Sequence, residues 1–171
     1  DHEKISSLAQ SFTLDKDALL TSVTLYFGSN DPTYPVTLQI RNMNNGVPGT
    51  ICYAQETFTV SNLAISALGL SPTTVTLTDP VLLNTNEDYC IVLDSPGQGT
   101  YKVAVGRVGQ PILGGGSIVS AQPFSVGKLF TGVSGSEWKS SDDADLKFVL
   151  GGANFIVGSS AQLVYNELDV S

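Results

Sequence analysis

The stretch Val23-Thr24-Leu25-Tyr26-Phe27-Gly28-Ser29-Asn30-Asp31-Pro32-Thr33-Tyr34-Pro35-Val36-Thr37-Leu38-Gln39-Ile40-Arg41 decides the fold class. Val23, Leu25 and Phe27 alternate with Thr24 and Tyr26, and Val36, Leu38 and Ile40 alternate with Thr37, Gln39 and Arg41. A period of two places one set of side chains on a dry face and the other on a wet face, the pattern of a half-buried strand. Asn30-Asp31-Pro32 and Pro35 break the chain between the two runs, as turn residues do. Two wet-and-dry strands joined by a short turn predict an antiparallel sheet packed face to face against another.

The pattern extends in both directions. Val75 and Leu77 alternate with threonines 74, 76 and 78, and the runs 101–105 and 146–150 behave alike. Tyr89-Cys90-Ile91-Val92-Leu93 is apolar throughout, which predicts a central strand covered on both faces. Turn residues stand at Asn44-Asn45-Gly46-Val47-Pro48-Gly49, Asp79-Pro80, Ser95-Pro96-Gly97 and Gly114-Gly115-Gly116. No helix of ten or more residues is predicted; residues 61–70 read as a short turn. The expected fold is all-β, an antiparallel β-sandwich of jelly-roll type, because the strand spacing argues against a βαβ arrangement.

Length and composition fit one domain. A chain of 171 residues buries enough surface to fold without a staple. Residues 1–152 read as the sandwich, and 153–171 as a C-terminal strand or the start of the next segment of a larger parent protein. Asp1-His2-Glu3-Lys4 is not a signal peptide and reads as a cut into a longer chain. No apolar run reaches the roughly 20 residues of a membrane helix, so no membrane insertion is expected.

Apolar residues make up 42% of the chain and charged residues 14%, so serine, threonine, asparagine and glycine cover much of the surface. With 8 basic against 16 acidic residues the net charge is −8. Lys4, Lys16, Arg41, Lys102, Arg107, Lys128, Lys139 and Lys147 are scattered singly along the chain. Phosphate backbones are bound by clustered cations, so nucleic acid and anionic membranes are not expected partners. A cationic or a neutral, sugar-rich partner stays open.

The side chains that carry chemistry are sparse. The single histidine, His2, lies at the terminus, which closes the serine-hydrolase route. Gly114-Gly115-Gly116 lacks the lysine of a phosphate loop and reads as a surface loop. A glycosidase needs only two suitably spaced carboxylates, but Asp15, Asp17, Asp31, Asp79, Glu87, Asp88 and Asp94 fall in turns, where carboxylates cap and solvate. The expectation is that the chain is not an enzyme. Cys52 and Cys90 read first as small buried apolar residues; an inter-strand disulfide and a reactive thiol are the alternatives.

Two binding sites are candidates. Asp142, Asp143 and Asp145 form the densest acidic group and could hold a structural calcium ion, although the spacing is not that of an EF-hand. No other cofactor is expected. A glycan would stack on an exposed aromatic: Trp138, the only tryptophan, comes first, followed by Tyr34, Tyr26 and Tyr53. Against this, a lone tryptophan in a sandwich more often packs in the core or at a sheet rim.

Taken in order, the segments resemble a domain that recurs in tail, baseplate and fibre proteins of tailed bacteriophages. The matching pieces are Leu8-Ala9-Gln10-Ser11-Phe12, residues 21–27 and 35–41, the turn Asn45-Gly46-Val47-Pro48-Gly49, and residues 79–83 and 87–93. The most specific part runs from Gln122-Pro123-Phe124 through Leu129-Phe130 and Gly135-Ser136-Glu137-Trp138 to Asp145-Leu146-Lys147-Phe148. Lys139 follows the tryptophan where threonine is usual in the family.

The resemblance covers about residues 8 to 150. It implies a jelly-roll-like virion domain in which Leu129-Phe130 and Trp138 lie on paired strands joined by residues 131–137, so that Trp138 packs across strands. It further implies other virion tail proteins as partners, a virion (tail) location that becomes extracellular after release, contact with a host receptor or cell-surface glycan, and a homo-oligomer as a possible assembly. The rival expectation is a carbohydrate-binding module or adhesin-type lectin domain on the same sandwich.

Overall fold

The computed structural model describes residues 1–31, 33–96, 100–107, 126–156 and 162–167. Gly114–Gly116 and Gln122–Phe124, two of the stretches singled out above, lie outside them. The strands are β1 (His2–Lys4), β2 (Ser7–Thr13), β3 (Ala18–Ser29), β4 (Val36–Asn44), β5 (Val47–Phe58), β6 (Pro72–Leu83), β7 (Asp88–Asp94), β8 (Lys102–Arg107), β9 (Val126–Val133), β10 (Ser136–Ser141), β11 (Ala144–Leu146), β12 (Phe148–Ile156) and β13 (Gln162–Glu167). A single 3-10 turn, Asn62–Ala64, interrupts residues 59–71; the Ser61 hydroxyl caps it by accepting from the Leu63 N–H at 3.2 Å.

All the strand pairs are antiparallel and form two sheets, which makes the chain an all-β sandwich. One sheet is ordered β10-β9-β2-β7-β4-β5; the other runs β1-β8-β3-β12-β13, with β6 paired to β3 and β11 paired to β8. Val23, Leu25 and Phe27 of β3 and Val36, Leu38 and Ile40 of β4 are wholly buried between the sheets, on the faces that alternation assigned. Burying each such side chain contributes roughly 1.5–3 kcal/mol. Phe27 meets Tyr101 and Phe58 edge-on at 6.0 and 6.1 Å between ring centres, an arrangement that aligns positive ring edges with negative faces.

Four local readings are corrected. Asp79-Pro80 does not end a strand: both residues lie within β6, at the register shift where its pairing with β3 passes from Thr76 opposite Ser22 to Val81 opposite Leu20. The turn at 44–49 is narrower: Asn45 and Gly46, with φ of 52° and 79°, form a two-residue hairpin, and Val47 already opens β5. Left-handed φ at both positions matches the twist of the flanking strands, which suits Asn-Gly. Residues 131–137 are likewise mostly strand, because the β9–β10 turn is only Ser134-Gly135.

The run 146–150 is two strands rather than one. Leu146 pairs with Val105 of β8, the Lys147 N–H donates to the Ala104 carbonyl at 3.0 Å, and Phe148 then pairs with Leu25 of β3. The alternation of Leu146, Phe148 and Leu150 survives because all three still face the core, while the backbone changes partners. At the far end of β12, β13 joins its free edge, Gly151 opposite Glu167 through Ile156 opposite Gln162.

Candidate functional site

The β9–β10 hairpin shapes the outer face of the six-stranded sheet. Ser134 and Gly135, with φ of 49° and 77°, make its tight turn. The Gly135 N–H donates to Ser7 Oγ of β2 at 2.8 Å, and Arg41 Nη1 of β4 donates to the Gly135 carbonyl at 3.2 Å. The tip is therefore tied across β2 and β4, over β7, which lies between them. Ser7 also donates to Asp94 of β7, and Arg41 Nε donates to Gln39 Oε1 at 2.6 Å.

Beneath this hairpin lies a second apolar cluster. Ala9, Cys90, Val92 and Phe130 are buried on the face of the sheet opposite the main core, with Trp138 and Met43 packed over them. Trp138 rests on Gly132: a Cβ there would stand 2.8 Å from Trp138 Cε3, so only glycine admits the ring. This explains why Tyr89–Leu93 is apolar at every position: Ile91 and Leu93 fill the main core, and Cys90 and Val92 the second cluster.

The aromatic candidates do not converge. Trp138 is half-buried in the second cluster, on the outer face of one sheet. Tyr26 lies on β3 of the other sheet, where Lys147 Nζ sits 4.1 Å above its ring centre while donating to the Gly69 carbonyl at 2.7 Å. That cation–π contact occupies a ring face a sugar would need. Tyr34 is 44% exposed in the β3–β4 connection, and its carbonyl accepts from the buried Tyr101 hydroxyl at 2.7 Å. Tyr53 is exposed at the edge strand β5, edge-on to Tyr89 at 5.7 Å.

The acidic candidates also point apart. Asp142 is exposed and lies 3.7 Å from Lys128 Nζ. Asp143 accepts from Ser141 Oγ at 2.7 Å. Asp145 turns inward, is 6% exposed, and accepts from Gln10 Nε2 at 3.0 Å. Burial pushes its carboxyl up to about 6, against the lowering effect of the Gln10 hydrogen bond. Among the described residues no group of three His, Cys, Asp or Glu side chains is placed to hold a metal ion. The melting temperature is accordingly expected to be the same in excess chelator as in millimolar calcium; a rise with calcium would restore the ion to the acidic loop.

The cysteines are free, Cys52 exposed and Cys90 buried. Both pair with Arg41, from opposite sides, so they stand two strand spacings apart. That is about 9–10 Å between Cα atoms, beyond the roughly 7 Å a disulfide can span. Burial raises the Cys90 thiol to about 12, with Arg41 acting in the other direction, so it is a small apolar side chain in practice. Of the two, Cys52 departs from the buried reading.

Sequence patterning gave no sign of the depression of about 510 Å³ between the hairpin tip and the sheet. Its walls include Thr37, Asp94, Ser95, Pro96, Val133 and Ser134, brought together from three strands, the loop after β7 and the β9–β10 turn. Hydroxyls and one carboxylate beside Pro96 and Val133 give it the polarity of a small hydroxylated ligand. Family models, curated proteins and solved structures were compared with the chain, and none of them matches.

Proposed function

We propose that this chain is a non-enzymatic, jelly-roll-like structural domain of a tailed-bacteriophage tail, fibre or baseplate protein, in contact with other tail proteins. The reading is supported by where the family-like segment goes. Leu129 and Leu146 enter the main core, Phe130 and Trp138 make the second cluster, and Asp145 is bonded to Gln10 in the interior. The residues that carry the resemblance thus serve as joints of the sandwich, as expected of a domain whose role is shape. Mass spectrometry of phage particles purified from a strain encoding the chain is expected to recover its peptides. Recovery from the cell envelope alone would replace this reading with an adhesin.

A lectin is the second reading, favoured by the depression beside Asp94. A glycan array probed with the domain is expected to stay blank with and without calcium. A reproducible hit that Asp94→Asn abolishes would establish the lectin and displace the purely structural role.

A further inference from the structure

We infer that one end of the sandwich docks on the surface of a neutral phospholipid bilayer, led by Leu63, Leu68 and Leu70. These leucines are 95%, 58% and 50% exposed, and all three lie on the connection between β5 and β6. Single exposed apolar side chains are ordinary, whereas a group of them marks a contact surface. The connection is firmly built. The Ser66 N–H donates to the Phe27 carbonyl at 3.0 Å, beside a parallel bridge from Ile65 to Phe27. Ser66 Oγ accepts from the N–H groups of Leu68 and Leu70, both at 3.3 Å, and the Gly69 N–H donates to the Ser66 carbonyl at 3.0 Å. Ala64 and Ile65 pack on the main core, so the backbone is anchored from below while the leucines stay outside. Little ordering entropy then opposes docking.

Area and charge select the occupant. The leucines together expose the surface of about two whole side chains, on the order of 200 Å². A stable dimer buries about 800 Å² on each partner, so a second copy meeting here would not hold. A bilayer offers apolar volume of any shape and needs no matching surface. Residues 57–78 include no charged side chain, so entry of the loop strands no charge in hydrocarbon. The net charge of −8 repels anionic headgroups and leaves zwitterionic lipid favoured. The neighbouring β3–β4 connection is tied to this loop, because Asn30 Nδ2 donates to the Val60 carbonyl at 2.8 Å and to Asn62 Oδ1 at 2.7 Å. It carries the exposed Tyr34, a ring suited to the headgroup level. The chain lies on the bilayer rather than crossing it; among the described residues no helix is long and apolar enough to cross.

This surface is read from the loop alone and does not rest on the virion reading. Flotation of the whole chain with phosphatidylcholine vesicles tests it, at up to roughly 10 mM lipid to cover an expected dissociation constant of about 1 mM. Leu63→Ser is expected to weaken binding about tenfold or more, and Leu63→Ser/Leu68→Ser to abolish it. Both variants are expected to keep the parent's melting temperature, because the side chains removed are exposed. Leu82→Ser changes a leucine 55% exposed at the other end of β6, opposite Leu19, and is expected to bind as the parent does. Adding phosphatidylglycerol to the vesicles is expected to weaken binding. No flotation with phosphatidylcholine, or full binding by the double variant, would overturn the docking. Dimers in sedimentation equilibrium that Leu63→Ser dissolves would give the surface to a second copy instead. Stronger binding to phosphatidylglycerol that salt abolishes would make the contact electrostatic and overturn it likewise.

Discussion

Gln10→Leu is expected to lower the stability of the domain by about 3–5 kcal/mol at pH 7.5, measured by urea unfolding. Gln10 is wholly buried on β2, yet it is polar. Its Oε1 accepts from the Leu146 N–H at 2.8 Å, while Nε2 donates to Asp145 Oδ1 at 3.0 Å and to the Ser11 carbonyl at 3.1 Å. This one side chain supplies the polar link between β2 in one sheet and β11 in the other. Leucine has nearly the same volume, so no cavity opens and the loss is that of the hydrogen bonds. It strands a buried backbone donor and a buried carboxylate, each far costlier unpaired than the original bonds are favourable. A loss below about 1 kcal/mol would show that water reaches these groups and that the link carries little.

Asp145→Asn should act in the opposite direction at neutral pH. In the folded chain burial holds the Asp145 carboxyl at about 6, against an ordinary value of 3.8. A raised folded value means that folding favours the protonated form. Its contribution to stability is complete below about pH 3.8, declines above it, and is lost as the pH rises through about 6. About two units at 1.36 kcal/mol each put the cost of the ionised group near 3 kcal/mol at pH 7.5. Asparagine keeps the acceptor for Gln10 and removes the charge. The variant is expected to be about 2–3 kcal/mol more stable than the parent at pH 7.5, with the difference closing toward pH 4. Parallel pH profiles for the two proteins would show that Asp145 is ionised without penalty, which burial argues against.

These two residues mark the boundary of what patterning reveals. Alternation assigned Val23, Leu25, Phe27, Val36, Leu38 and Ile40 to the core, and all are buried there. It succeeds because a period of two is a property of the strand itself. The all-apolar run at Tyr89 was legible as a strand covered on both faces, but what covers its second face was not, since the β9–β10 hairpin folds back from a different part of the chain. Gln10 and Asp145 are 135 residues apart, so no local pattern connects them. An aspartate beside two others reads as solvated or metal-binding. Its flanking residues Ala144 and Leu146, both buried, are the signal that could have placed it inside.

The change of partner at Lys147 was hidden for a related reason. Side-chain alternation records which face is dry, not which neighbour holds the backbone. Residue type alone singles out Tyr26, Tyr34 and Trp138. Exposure and convergence depend on topology, which places them on separate surfaces.

Because Trp138 is the chain's only indole and is seated on Gly132 in the second cluster, its fluorescence reports on one hairpin rather than on the whole molecule. Six tyrosines are spread over strands of both sheets and the connections between strands, and record the average. Indole and phenol emission, followed together during slow denaturation, therefore form a two-channel optical assay. The assay separates detachment of the β9–β10 flap from collapse of the sandwich beneath it, with no label added.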